Sequence, residues 1–468
     1  MKHAICVLLI LVAARVAPAV AQPGPAGRWE GAIGLTGLDL GIVVHLRGAG
    51  DSLRGTIDIP AQMAMGLALT NVRATPAGVH FELPAGPGLA VFDGMLAGDS
   101  IAGDFRQGTA AARFRLHRAV EPPAVIRTPP TDFREEEVKV ANGPVTLAGT
   151  LSMPSSGGPF PAAILLTGSG AQNRDEEIFG FTPFRILAEH LTRKGFAVLR
   201  CDDRGVGGST GDMRSSTTAD FATDAMAMVK SLTARPDIRA SQVGLIGHSE
   251  GALVASMCAA GSHDIAFLVL LAGPALPGDS TILSQIDALG RLAGQTPEEI
   301  GRNQAAERRV FATVRAQKGW DDLRTFLRAE IHRNLAHMPA EQKAALTNPD
   351  SLADATLESQ MKAVQTPWFR YFITHDPVPD LEKVRCPVLA LYGDLDKQVI
   401  LSLNNLRMTT ALTSRGNTDV RVVTIPGANH LFQRAVTGHP GEYPSLDKAF
   451  AEGVLDEISS WMKTHFPP

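Results

Sequence analysis

The chain has 468 residues, 44% hydrophobic and 20% charged, which is the balance of a soluble globular protein with enough material for two or three domains. A formal net charge of −4, with no clustered run of Lys and Arg, excludes a basic nucleic-acid-binding surface. Four cysteines in a chain of this length exclude a disulfide-built scaffold.

In chain order, residues 1–21 place Lys2 ahead of an apolar stretch and end in Ala19-Val20-Ala21 before Gln22. This is the pattern of a cleavable secretory signal, and the apolar stretch is too short to span a membrane. The expectation is a periplasmic or secreted protein without a transmembrane segment. Cys201, Cys258 and Cys386 remain after cleavage, each in an apolar stretch. An odd number cannot all pair, so buried free thiols are expected.

Residues 22–123 read as a small all-β domain. Short alternating or β-branched runs such as Gly41-Ile42-Val43-Val44-His45-Leu46, Gly55-Thr56-Ile57-Asp58-Ile59 and Gly78-Val79-His80-Phe81-Glu82-Leu83 are separated by Gly, Asp and Pro. Gly98 marks the turn of a late hairpin. No catalytic grouping falls in this part. Pro122-Pro123 and Thr128-Pro129-Pro130 bracket a linker, residues 124–133, that cannot continue a helix or a central strand.

From residue 134 to residue 277 the pattern changes to α/β. A hairpin around Asn142-Gly143 is followed by apolar strands alternating with helical stretches, the rhythm of a mostly parallel sheet. Residues 278–380 interrupt it with helical periodicity. Thr296-Pro297-Glu298-Glu299 joins a capping box to Pro at the first helical position. Such an insertion is expected to cap one end of the sheet, which resumes over residues 381–468 and closes with a helix read over residues 446–464.

The chemistry centres on Gly247-His248-Ser249-Glu250-Gly251, between an apolar strand and a helical run. Strand, tight turn and helix are the context in which G-x-S-x-G presents a nucleophilic serine, here Ser249. A serine needs a base and an orienting acid. Asp396 and His430 follow the next two strand tips, in the chain order Ser, Asp, His. Asp394 competes for the orienting role, but Asp396 sits deeper in the loop that must reach the histidine. His248 reads as packing, and Asp175, Glu176 and Glu177 as a solvated turn. The backbone N–H of Glu250 is one expected oxyanion donor, and Ser169, in Gly168-Ser169-Gly170, supplies the other. Trp368 and Phe369 open the densest aromatic cluster of the chain and are candidates for substrate binding, with Trp368 and Tyr371 on one helical face and Phe369 and Phe372 on the other.

From about Glu136 onward the chain resembles the secreted bacterial α/β-hydrolases grouped with serine aminopeptidases and carboxylesterases. The stretches that carry the resemblance are LLTGSGAQNRDE, DDRGVGGSTG, GLIGHSEG, VLLAGP, LYGDLDKQV and PGANHLFQ. The resemblance implies an α/β-hydrolase fold with a helical cap, a triad of Ser249, Asp396 and His430, and an oxyanion hole from Ser169 and Glu250. Thr167 departs from the His that many hydrolases carry before the glycine. The expected activity is cleavage of a small-molecule carboxylic ester, without metal or cofactor. The alternatives are an aminopeptidase or acyl-peptide hydrolase with the same triad and, more remotely, a non-catalytic binding protein. Ser445-x-x-Lys448 and Ser460-x-x-Lys463 lack the Lys-Thr-Gly element of β-lactam enzymes.

Overall fold

A computed structural model of the protein describes residues 24–35, 38–59, 64–75, 78–83, 89–107, 110–119, 131–336 and 349–468. The leader, nearly all of the linker and residues 337–348 of the cap lie outside the described residues.

The first part consists of nine strands: β1 (Gly27–Leu35), β2 (Leu38–Arg47), β3 (Arg54–Ile59), β4 (Ala64–Ala68), β5 (Thr70–Thr75), β6 (Gly78–Leu83), β7 (Ala90–Ala97), β8 (Ser100–Gln107) and β9 (Ala110–Arg118). They form one antiparallel sheet in the order β4-β3-β2-β1-β9-β8-β7-β6-β5. Alternation puts Val79, Phe81 and Leu83 of β6 on the buried face. There Phe81 stacks on Phe92 at 4.6 Å between centroids, and Phe114 meets Phe92 edge-on at 5.3 Å. The β7–β8 hairpin pairs Ala97 with Ser100 across a two-residue turn in which Gly98 takes φ +58°.

The second sheet contains β10 (Phe133–Asn142), β11 (Val145–Pro154), β12 (Phe160–Leu166), β13 (Ala197–Cys201), β14 (Ile238–His248), β15 (Leu268–Leu271), β16 (Val388–Gly393) and β17 (Val420–Ile425). Its order is β10-β11-β13-β12-β14-β15-β16-β17, with β10 and β11 antiparallel and every pair from β13 onward parallel. Both faces are covered, so the central strands are apolar throughout. On β12, Ala162, Ile164 and Leu166 belong to one core, and Ala163 and Leu165 to the other. The first core is shared with helices α2 (Thr218–Thr233) and α3 (Glu250–Gly261), the second with α1 (Pro183–Arg193).

Between β15 and β16 lie α4 (Gly278–Leu292), α5 (Pro297–Ala316), α6 (Trp320–Ala336), α7 (Pro349–Val364), α8 (Pro367–Thr374) and α9 (Val378–Leu381). The capping box at Thr296 and Glu299 starts α5. Phe311, Val314, Leu323, Leu357 and Ile373 give this insertion a core of its own. Two more helices, α10 (Leu401–Thr413) and α11 (Val454–His465), complete an α/β-hydrolase fold with a helical insertion.

The closing helix is shorter than its sequence pattern suggests. Pro440–Ser445 forms a 3-10 turn and α11 begins only at Val454. The intervening chain is held by tertiary contacts instead. Phe450 meets Phe181 edge-on at 5.4 Å, the Ala451 N–H donates to the Phe432 carbonyl at 2.7 Å, and Gly453 turns at φ +88°. This segment therefore braces the loop that carries His430.

Candidate active site

Strand β14 ends at His248, α3 begins at Glu250, and Ser249 between them takes φ +52° and ψ −113°. A left-handed serine costs about 1–3 kcal/mol and persists only where its surroundings enforce it. Here they do. A Cβ on Gly247 would lie 2.1 Å from the Gly251 carbonyl oxygen, and one on Gly251 would lie 2.1 Å from that of Leu166. Only glycine fits at either position. The Ser249 N–H donates to the Leu271 carbonyl at 2.8 Å, which ties the turn to the neighbouring strand.

Strands β14 to β17 run parallel, so their C-terminal ends lie along one edge of the sheet. Asp396 follows β16 and is 2% exposed. One carboxylate oxygen accepts the N–H groups of Gln398 and Val399 at 2.7 and 2.9 Å, and the other accepts from His430 Nδ1 at 2.7 Å. Asp394 is occupied elsewhere, accepting the Gly427 N–H at 2.7 Å. His430 follows β17 in a turn held by Asn429, whose side-chain oxygen accepts the N–H groups of Leu431 and Gln433 at 3.0 and 2.9 Å.

The loop after β12 approaches the elbow from the other side. A Cβ on Gly168 would lie 3.4 Å from the Ser249 Cβ and 3.3 Å from His248 Nδ1. The Gly168 N–H donates to Glu176 Oε1 at 2.7 Å, and Thr167 Oγ1 donates to Asp203 at 2.8 Å. Glu250, 3% exposed, accepts from Thr218 Oγ1 at 2.7 Å and Trp368 Nε1 at 2.8 Å. Burial raises its carboxyl pKa, against the hydrogen bonds of Thr218, Trp368 and Ser169. Burial also raises Asp203 to about 8, with Glu176 and Glu250 adding to the shift.

Two sequence expectations are corrected at this point. Glu176 is 2% exposed with φ +50° and Asp175 is ion-paired to Arg200, so of the three acidic residues only Glu177 is solvated as expected. His248 is not simple packing, since Nδ1 bonds to Glu176 at 2.8 Å and Nε2 to the His430 carbonyl at 2.9 Å. Neither partner could be inferred from spacing along the chain. The signal that was present is the concentration of charge in the Arg174-Asp175-Glu176-Glu177 run directly after a buried strand.

Trp368 and Phe369 part company on α8. Trp368 reaches Glu250 and stacks on Phe372 at 5.2 Å, while Phe369 packs against the core of the insertion, 6.3 Å from Phe311. A cavity of about 50 Å³ adjoins the oxyanion loop, walled by Gly168, Asp203, Glu250, Met213 and Phe221. At roughly 10–15 Å³ per water it suits a few waters rather than an acyl chain. The thiols of Cys201, Cys258 and Cys386 are free, the first two buried as expected and Cys386 only partly so, and burial raises each of them to about 12. Among the described residues, no helix is long and apolar enough to cross a membrane.

Esterase EstD of Thermotoga maritima is 26% identical over 340 residues, covering 71% of this chain and 68% of that protein. Among solved structures, an esterase of Pyrococcus furiosus aligns with a TM-score of 0.42 at 17% identity, covering 71% of this chain and 92% of its own. A hypothetical protein of Pseudomonas aeruginosa aligns with a TM-score of 0.43 at 17% identity, covering 72% and 95%. The family model described as serine aminopeptidase, S33, matches residues 182–434. That span takes in the elbow, the insertion and the loops of Asp396 and His430, and it exceeds half of the chain: the protein belongs to the serine aminopeptidase family of α/β-hydrolases.

Proposed function

We propose that the protein cleaves small carboxylic esters through an acyl-enzyme intermediate on Ser249. The observation that carries this reading is the buried His430–Asp396 pair at 2.7 Å, placed at strand ends on the same sheet edge as a serine held at φ +52°. His430 takes the Ser249 proton as the hydroxyl oxygen attacks the ester carbonyl. Asp396 keeps the imidazole in the tautomer whose Nε2 is free to do so. The N–H groups of Ser169 and Glu250 receive the oxyanion, and His430 returns its proton to the departing alcohol. Water then attacks the acyl-enzyme by the same route. Trp368 lines the acyl side of the site.

An ester rather than a peptide amine is favoured because two of the three acidic groups after the oxyanion loop, Asp175 and Glu176, are committed to Arg200 and His248, while the third, Glu177, is exposed. Neither of the committed two remains to bind a substrate ammonium. A fluorophosphonate should label the protein but not Ser249→Ala, and p-nitrophenyl acetate should be turned over well ahead of aminoacyl p-nitroanilides. Faster anilide turnover would reverse the substrate assignment, and labelling that survives in Ser249→Ala would remove the nucleophile. The compartment proposed is periplasmic or extracellular. The exported protein should begin at Gln22, as N-terminal sequencing would read.

A further inference from the structure

The residue beside the candidate nucleophile makes two bonds that a neutral histidine can make together only if its carboxyl partner carries the proton. His248 Nδ1 lies 2.8 Å from Glu176 Oε1, and Nε2 lies 2.9 Å from the carbonyl oxygen of His430. A backbone carbonyl can only accept, so Nε2 must carry a proton. Glu176 Oε1 also accepts the Gly168 N–H at 2.7 Å, the bonding expected of a carboxylate, so Nδ1 must donate as well. Both ring nitrogens are then donors, which is the imidazolium form.

We propose that His248 is a permanently charged positioning residue that locks the oxyanion loop and the base loop onto the nucleophile elbow. The inference rests on the triad reading above and deepens it. One bond runs through Glu176 to Gly168, at the root of the loop that presents Ser169. The other fixes the backbone of His430 itself. His248 and Glu176 are 5% and 2% exposed, so water does not compete for either bond. The titratable groups facing His248 are Glu176 from the loop after β12, His430 from the loop after β17 and, further off, Asp396 from the loop after β16. Burial opposes the charge, but Glu176 and the His430 carbonyl outweigh it and raise the histidine above its ordinary value. The rings of His248 and His430 lie 4.8 Å apart.

The test reads the charge directly. In full-length Ser249→Ala protein with labelled histidine, the ring nitrogen shifts of His248 should stay at imidazolium values from pH 5.5 to 8. Adding Glu176→Gln should abolish that state. With Ser249 intact, His248→Gln and Glu176→Gln should each lower kcat about 10- to 100-fold with KM within about twofold, as expected when donors aligned on the transition state are misplaced. The double variant should lose little more than either single one. A neutral His248 that titrates between pH 5.5 and 8, or single variants whose losses multiply, would overturn the proposal even if the variants prove unstable. Failure of the triad reading would show separately, as undiminished turnover in Ser249→Ala while the nitrogen shifts stay unchanged.

Discussion

Trp368 Nε1 donates to Glu250 Oε1 at 2.8 Å, so one long-range anchor of the helical insertion ends on the residue next to Ser249. The same oxygen accepts from Thr218 at the start of α2. An aromatic ring stacked on Phe372 of the insertion is thereby tied to the sheet domain as well.

This relationship gives Trp368 both a tethering and a pocket-lining role to test. Trp368→Ala should open acyl volume and shift preference toward longer esters, with each added methylene contributing up to about 0.8 kcal/mol. Trp368→Phe keeps the ring but leaves Glu250 short of a donor, and should cost about 1–3 kcal/mol of stability with a nearly unchanged profile. A p-nitrophenyl ester series from acetate to decanoate, run beside thermal melts, checks both. An unaltered chain-length profile in Trp368→Ala would make the residue a tether only.

The two aspartates after β16 should separate cleanly. Ser249→Ala should lower turnover on the order of 10⁴-fold or more with the fold retained. Asp396→Asn should approach that loss, because an amide in place of the acceptor of His430 Nδ1 favours the wrong tautomer. Asp394→Asn keeps an oxygen for the Gly427 N–H and should cost less than about tenfold. Steady-state kinetics with circular dichroism decide it, and the reverse ranking would move the orienting acid.

Stability should fall as pH rises from about 5 to 8. Asp203 is raised to about 8 from an ordinary value near 3.8, so across that window the folded protein holds a proton that the unfolded chain has released. Folding is then progressively penalised as pH increases. Glu250, raised by burial, has the same sign. His248, also raised, contributes stability that is complete below the ordinary histidine value and lost as pH climbs through its folded value. Asp203→Asn should therefore flatten the decline of Tm over this range. Parallel slopes for variant and parent, measured by calorimetry, would show that Asp203 is not its source.

A chain beginning at Arg127 should fold and hydrolyse small esters at a rate close to that of the full protein. The β-sheet part has a core drawn from its own strands, and the sheet of the hydrolase part has two others. Asp132 and Phe133, which such a chain keeps, are held by Arg193 through a 2.7 Å ion pair and a cation–π contact at 5.0 Å. Inactivity of a folded, monodisperse truncation would mean that the first part helps to form the site.

Much of the site was legible along the chain because its parts are local. The elbow needs small residues on either side of one serine, and Gly247 and Gly251 supply them within five positions. Asp396 and His430 could be picked out because each follows the tip of a recognisable apolar strand, and a parallel sheet must bring such tips to one edge. Capping at Thr296 and the hairpin turns at Gly98 and Asn142-Gly143 were equally local, each decided by side chains within a few residues of the turn.

The sequence by itself thus determined the all-β part, the alternating sheet and helices, the helical insertion and the positions of Ser249, Asp396 and His430, since apolar period and turn chemistry are written over short distances. Only the tertiary structure decided that residues 446–453 form bends and turns rather than helix, because their conformation is set by Phe181 and Phe432 rather than by their own helical spacing. It also decided that Glu176 is buried against His248 across 72 positions, and that Trp368 bonds to Glu250 across 118. The reason is the same in each case. Charge and aromaticity at one position state what a side chain can bond, while the partner is chosen by which distant loops the sheet brings to the same edge.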